Sequence, residues 1–310
     1  MKALVTGGAG FIGSHIVERL VRTGHTARVF DNFSSGKREN LAPFAPRIEV
    51  IPGDLRDRER VDLAVTGCDV VFHEAAIVSV PYSIEHPQET HDVNLQGTLN
   101  VLEAARRAGA KRVVFASSAA IYGDAPELPK RETMLPSPIS PYGVEKITGE
   151  HYLRVYSAHY GVETVALRYF NVFGPRQDPS SPYSGVISVF VDRALAKRTL
   201  TIFGDGEACR DFVYVDDIVD ANLAAAARDD VSGRVFNVAR GERTTLNDLV
   251  FMLGRILRRE IQPEYASPRA GDIAKSVADI SRARSELGYE PKVGVEDGLA
   301  RLVRSKLEKG

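Results

Sequence analysis

The sequence predicts an α/β chain built on a Rossmann-type, doubly wound parallel sheet, and three observations carry that expectation. Apolar runs of strand length recur at Ala3-Leu4-Val5, Val29-Phe30, 48–51, Val70-Val71-Phe72, Val113-Val114-Phe115 and Val165-Ala166-Leu167. Helical patterns over 94–108 and 141–160 lie between several of them, and such alternation implies parallel strands joined by right-handed crossovers. The first run also opens straight into a glycine-rich turn followed by a helix, at the sheet edge where ligands bind in this architecture.

That turn reads Thr6-Gly7-Gly8-Ala9-Gly10-Phe11-Ile12-Gly13. After it, Ile16, Val17, Leu20 and Val21 fall on one face of a 3.6-residue period, so the glycines sit between a buried strand and a helix N-terminus. Glycines let the backbone come close to a pyrophosphate, whose charge the free N–H groups and the helix dipole then hold. Gly7, Gly10, Phe11, Ile12 and Gly13 are therefore expected to cradle a dinucleotide. The second run ends in Asp31, placed to accept from the adenosine ribose and to favour NAD over NADP.

Beyond residue 170 the texture changes. Gly, Pro, Ser and Asp cluster over 174–185, and helical stretches near 215–228 and 245–258 are separated by short extended pieces. The expected organisation is an NAD-binding domain over 1–170 with a return near 215–240, where Arg234–Val238 rejoins the sheet. A smaller α/β substrate domain would cover most of 171–310.

Bulk composition excludes several classes. Lys plus Arg number 40 and Asp plus Glu 41, so no global field draws the chain to nucleic acid or an anionic membrane. No run approaches the roughly 20 apolar residues of a membrane span, and Met1-Lys2 leads directly into the first strand without a signal-like segment. Cys68 and Cys209 are the only cysteines, and neither has metal-ligating neighbours, so neither a disulfide framework nor a metal site is expected. A cytoplasmic protein is expected.

Ser140-Pro141-Tyr142-Gly143-Val144-Glu145-Lys146 reads as a helix start, with Ser140 as N-cap and Pro141 in the first turn. Tyr142 and Lys146 then share one helix face. Ser118 lies just past a strand end, at the cofactor's edge of the sheet. Together they suit proton transfer. Lowering a tyrosine pKa from near 10 by about three units requires roughly 4 kcal/mol. One positive charge about 6 Å away at an effective dielectric near 20 provides about 3 kcal/mol. Lys146 and an oxidised nicotinamide would suffice together, while neither alone clearly would. Ser118 would hydrogen-bond the same substrate hydroxyl.

With these residues in place the chain resembles the extended short-chain dehydrogenase/reductases and, within them, the nucleotide-sugar 4-epimerases. The resemblance runs nearly end to end. It rests on the glycine turn, Asp31-Asn32, Gly53-Asp54-Leu55, Ala75-Ala76, Asn94, Ser118, Tyr142 with Lys146, the run Leu167-Arg168-Tyr169-Phe170-Asn171-Val172-Phe173-Gly174-Pro175, Arg210-Asp211-Phe212 and Arg269-Ala270-Gly271-Asp272. It implies that Asp54 and Leu55 face the adenine, that Asn32, Ala75, Ala76 and Asn94 complete the cofactor site, and that Lys146 also holds the nicotinamide ribose. It further implies a clamp for a UDP-sugar. Asn171, Arg210 and Arg269 would bind the pyrophosphate, where the planar fork of Arg matches phosphate oxygens. Asp272 would take the uridine ribose, and Thr201 and Phe203 would frame the uracil. Ser276 stands where the family gates the sugar's C2 substituent, and with Ser79 resembles epimerases that accept N-acetylhexosamines. Family members pair through two long helices, here 94–108 and 141–160, so a homodimer is implied.

The resemblance also separates reactions. Related dehydratases and UDP-glucuronate decarboxylases carry an acid shortly after the catalytic Ser or Thr, where this chain has Ala119-Ala120-Ile121. Simple hydride shuttling at C4 is the chemistry left: oxidation by NAD, rotation of the 4-keto sugar and return of the hydride to the other face. The expected activity is UDP-glucose/UDP-galactose 4-epimerisation, extending to UDP-GlcNAc and UDP-GalNAc. UDP-glucuronate 4-epimerisation and a net NAD-dependent nucleotide-sugar oxidoreductase remain as alternatives.

Overall fold

The computed structural model describes residues 1–178, 185–268 and 275–308. The first part of the chain folds as β1 (Lys2–Thr6), α1 (Phe11–Arg22), β2 (Thr26–Asp31), β3 (Ile48–Pro52), α2 (Arg58–Val65), β4 (Val70–His73), α3 (Val80–Glu85), α4 (Pro87–His91), α5 (Gly97–Ala108), β5 (Arg112–Ser118), α6 (Pro141–His159) and β6 (Glu163–Tyr169). It continues through β7 (Asn171–Phe173), α7 (Val186–Leu195), β8 (Thr201–Phe203), β9 (Cys209–Arg210), β10 (Phe212–Tyr214), α8 (Val215–Ala227) and β11 (Arg234–Val238). The described chain ends with β12 (Thr244–Thr245), α9 (Leu246–Leu257), β13 (Glu264–Ala266), β14 (Lys275–Ser276) and α10 (Val295–Leu307).

Seven strands form one parallel sheet in the order β11-β6-β5-β4-β1-β2-β3. The doubly wound α/β class is therefore the observed one. The strand order reverses between β1 and β4, which opens a crevice beyond their carboxyl ends. Strand alternation divides the core: Ala3 and Val5 face one layer with Ile16, Val17 and Ile218, while Leu4 faces the other with Val61, Val101 and Leu102. Residues buried on both faces of a parallel sheet read as continuous apolar runs, which is why the sequence shows no polar alternation here. The return strand pairs with β6 from Arg234↔Val165 to Val238↔Tyr169.

The rest of the chain builds a smaller lobe from short strands, in the sets β10-β7, β12-β9-β14 and β13-β8. Helices α7, α9 and α10 cover them, and Ile187, Phe190, Leu249, Leu253, Leu299 and Leu302 fill a third core. Helix α9 is capped by Thr245 and Asp248, each side chain meeting the other's backbone N–H, a reciprocal arrangement that fixes its start.

The stretch read as helix from residue 94 begins differently. Residues Asp92–Gln96 form a π turn that runs into α5. Such an extra residue per turn re-aims side chains and is frequent at functional sites. Here it carries Asn94, whose amide donates to Ile77 O and to Glu145 Oε2, both at 2.9 Å.

Candidate active site

The glycine turn adopts the close-packed form that its sequence requires. Gly7 has φ +66°, and a Cβ on Gly13 would stand 2.3 Å from the Gly7 carbonyl oxygen; only glycine tolerates either position. Gly10 is the N-cap of α1 without a side-chain cap, and no acid occupies the first turn. Among the described residues no acceptor meets the N–H groups of Phe11, Ile12 and Gly13, so these donors and the helix dipole are free for an anion.

A groove of about 450 Å³ runs along this edge. Gly7, Gly10, Phe11, Ile12, Gly13, Asp31, Asn32, Asp54, Leu55, Ala75 and Ala76 all line it. Asp31 is buried at the end of β2, where it accepts from the N–H groups of Ala9 (2.9 Å) and Phe33 (2.8 Å). Those bonds lock the carboxylate beside the glycine turn. Asn32 donates to Asp54 at 3.0 Å, and the Arg56 guanidinium bonded to Asp54 holds its carboxyl well below the usual range. Asn94 lies behind the wall, tying the segment after β4 that carries Ile77 to α6 through Glu145. Free N–H donors, a bare glycine cradle and a locked carboxylate fit a dinucleotide.

The groove has further lining, which sequence reading missed after β2 and, after β7, assigned only by resemblance to epimerases that accept UDP-N-acetylhexosamines. Ser34, Ser35, Gly36 and Lys37 come from the segment after β2, and Arg176, Gln177 and Asp178 from the segment after β7. Lys37 and Asp178 join across it at 2.7 Å. Polar Ser-Ser-Gly-Lys following the strand's terminal acid was the available signal. Glu74 also lines the groove, one residue past β4 and next to the expected Ala75-Ala76 pair.

Tyr142 and Lys146 open α6, with the Ser140 hydroxyl accepting from the Gly143 N–H at 3.2 Å as the N-cap. Both are buried. Lys146 Nζ donates to the Ala116 carbonyl at 2.7 Å and lies 5.7 Å from the Tyr142 ring centre. Ser118 ends β5 close enough to the Tyr142 hydroxyl to lower its pKa, and its own hydroxyl accepts from Ala120 N–H at 3.1 Å. A residue not anticipated, buried Ser83 of α3, accepts from the Tyr142 backbone N–H at 3.3 Å and fixes the start of α6.

The electrostatics run the way the sequence arithmetic expects. Burial pushes Tyr142 up to about 12 despite the Ser118 hydrogen bond, and Glu145 and Glu74 add to the rise. Burial likewise pushes Lys146 down to about 8. The lysine charge assumed from sequence is thus itself partly spent on desolvation, and the polypeptide alone opposes a phenolate.

The residues expected on the substrate side are more dispersed. Asn171 starts β7, its N–H bonded to Asp211 O at 3.1 Å. Arg210 lies in β9, flanked in register by Thr244 on one side and Ser276 on the other. Thr201 and Phe203 are half-buried at the ends of β8. Ser79 has a local role, since its hydroxyl caps α3 by accepting from Tyr82 N–H at 3.1 Å. Arg269 and Asp272 lie outside the described residues, as does the stretch 179–184. No cluster of metal-ligating side chains occurs among the described residues, and no described helix is long and apolar enough to cross a membrane.

The family model for the NAD dependent epimerase/dehydratase family matches residues 3–239. The chain belongs to that family. It is 40% identical over 307 residues to a UDP-glucose 4-epimerase of Mycolicibacterium smegmatis, covering 98% of this chain and 97% of that one. Among solved structures it is similar to the UDP-glucose 4-epimerase of Thermotoga maritima with UDP-glucose, at TM-score 0.95 and 42% identity over 100% of this chain and 99% of the other. It is also similar to a UDP-N-acetylglucosamine 4-epimerase from Methanobrevibacter ruminantium, in complex with UDP-N-acetylmuramic acid, at TM-score 0.95 and 39% identity over the same shares. The cofactor of the family is NAD, and the groove described above fits it.

Proposed function

We propose that the protein interconverts UDP-glucose and UDP-galactose by transient oxidation at C4, and that it also accepts UDP-GlcNAc and UDP-GalNAc. The observation that carries this reading is the meeting of Ser118, Tyr142 and Lys146 beside the glycine-turn groove, with Ala119 and Ala120 where eliminating relatives carry an acid. Bound NAD supplies a reversible hydride acceptor. Tyr142 takes the C4 hydroxyl proton and returns it, Ser118 holds that hydroxyl, and Lys146 supports the phenolate.

Asn171, Arg210, Arg269 and Asp272 are assigned to the UDP moiety, and Thr201 and Phe203 to the uracil. Register supports part of this assignment, because the pairing Ser276↔Arg210 sets the small gate residue beside a diphosphate-binding guanidinium. Ser276 leaves room for an acetamido group at C2. Coupled assays on the glucose, N-acetylglucosamine and glucuronate pairs test the substrate, with Ser276→Tyr expected to lose the acetylated pair selectively. An enzyme without activity on UDP-GlcNAc removes the gate argument, and one active only on UDP-glucuronate replaces the substrate. Turnover without added cofactor separates epimerisation from net oxidoreduction.

A homodimer is part of the proposal. Val144, Tyr152 and Val155 of α6 are 49%, 37% and 43% exposed, and their helical spacing puts them on one face. An apolar stripe of this kind suits pairing with a second copy about a two-fold axis. Sedimentation at twice the 33.9 kDa chain mass is the expected result, and a monomer at micromolar concentration refutes it.

A further inference from the structure

One ionisable group on the groove wall has no part in the proton transfer described above. Glu74 accepts a hydrogen bond from the Tyr169 hydroxyl at 2.9 Å, and Asn222 donates to that hydroxyl at 2.6 Å. Two neutral groups thus hold a carboxylate in place. Among the described residues Glu74, Glu145 and Lys146 have no ion-pair partner, whereas Glu150 is matched by Arg168 at 2.7 Å. Of the two unpaired carboxylates only Glu74 lines the groove, Glu145 being held by the neutral Asn94 amide. The titratable groups acting with Glu74 are Tyr169 on β6 and Tyr142 and Lys146 on α6. Glu145 and Glu150 of α6 act on Lys146 in turn, and His73, which ends β4 next to Glu74 in the chain, is acted on by Lys146.

Charge balance assigns it a role. Lys146 and an oxidised nicotinamide bring two positive charges and the Tyr142 phenolate one negative, leaving the buried site with one charge in excess. When the C4 hydrogen leaves with its electron pair to the cofactor and the hydroxyl proton passes to Tyr142, ring and phenolate become neutral together and the excess stays. An ionised Glu74 cancels it in both states, and where Tyr142 keeps its proton it offsets two positive charges with the oxidised cofactor against one with the reduced. An uncompensated buried charge is costly, so the balance matters throughout the cycle.

We propose that Glu74 is the counter-charge of this site, keeping Lys146 protonated and favouring the oxidised over the reduced cofactor. Its surroundings agree. Burial pushes Glu74 up to about 7, while the Tyr169 hydrogen bond and Lys146 pull it down, and a second positive charge would pull it further. Glu74 is also the largest influence opposing the fall of the Lys146 pKa on burial.

The inference rests on reading the groove as an NAD site working by C4 oxidation, and Glu74→Gln tests it in the holoenzyme. The amide keeps the acceptor for Tyr169 and removes the charge. Both limbs of the kcat against pH profile are expected to move to lower pH by about one unit, since Tyr142 and Lys146 each lose a negative neighbour. Holoenzyme equilibrated against mixtures of NAD+ and NADH should bind about tenfold more NADH relative to NAD+, and Glu74→Asp should restore both readings. Limbs that stay in place with an unchanged bound ratio overturn the proposal, even where kcat falls. A wild type inactive on every UDP-sugar sinks the substrate reading, while the exchange measurement still judges Glu74. Should Glu74→Gln fail to fold, Glu74→Asp against Glu74→Asn poses the same question one methylene shorter.

Discussion

The cofactor groove takes its shape from the carboxyl ends of long parallel strands, whereas the sugar side is assembled from strands of two and three residues that pair across long stretches of chain. Residues lining the groove, such as Gly7, Asp31, Asp54 and Ala75, each lie within a few positions of a strand end in the seven-stranded sheet. On the other side Arg210 owes its neighbours to pairing with Thr244 and Ser276. A site built on a large sheet is pre-formed and rigid, while one built on short pairings can change specificity by changing one loop. The proposed hydride chemistry draws on the first and the proposed substrate contacts on the second.

The largest expected effect separates chemistry from the groove. Tyr142→Phe should lower kcat by about 10³-fold, within the range for loss of a general base, and leave bound NAD at its wild-type content. A variant retaining more than about a tenth of wild-type turnover shows that another group is the base. Next in size is a break in the groove itself. Gly13→Ala places a methyl 2.3 Å from the Gly7 carbonyl, so the turn must open, and NAD affinity should fall about hundredfold, or about 2.7 kcal/mol. Calorimetric titration reads it. Equal affinity in the variant means the turn does not contact the pyrophosphate. A smaller change follows from Asp31→Ala, which removes both a ribose acceptor and a charge that repels a 2′-phosphate. The NAD to NADP affinity ratio should drop by about tenfold, and an unchanged ratio takes Asp31 out of the cofactor site.

The same contrast explains what could be read from the chain. Gly7, Gly10, Gly13 and Asp31 announce the groove because backbone sterics and helix polarity act over a few residues. The return of Arg234–Val238 to the sheet was legible from its apolar pattern after helix α8. Glu74 was not, since a strand-end glutamate becomes part of a site only when β6 and α6 bring Tyr169 and Lys146 to it. Asn94 was legible as a residue but not as the product of a π turn, because one extra residue per turn leaves no periodic mark. Ser79 shows a second role that the chain also carried, for a hydroxyl ahead of Val80-Pro81 caps a helix. On the sugar side register decides who meets whom, and strands of two residues carry too little pattern to fix a register.

The smallest effect concerns how the two sides respond to acid. His73 ends β4 and is fully enclosed, with Nδ1 2.8 Å from Thr6 Oγ1 and Nε2 3.0 Å from Thr98 Oγ1. Thr98 donates its own proton to Asn94 O, so it accepts from Nε2, and Nδ1 is left to accept from Thr6. The neutral ring satisfies every partner. Burial, with Lys146 nearby, accordingly lowers His73 from 6.5 to about 3. A group whose folded pKa is depressed in this way and is charged when protonated adds stability above its unfolded value, and the contribution is lost as pH falls below 6.5. At pH 6 the loss against pH 8 is about 0.8 kcal/mol. Asp211, buried at the junction with the smaller lobe and raised to about 6, works the other way, since its protonated form is favoured by folding and its contribution recovers as pH falls. Comparing wild type with His73→Asn isolates the histidine, because Asp211 is present in both. Urea unfolding at pH 8 and pH 6 should show the wild type losing about 0.8 kcal/mol more than the variant, and parallel losses would place the acid-sensitive group outside the cofactor side.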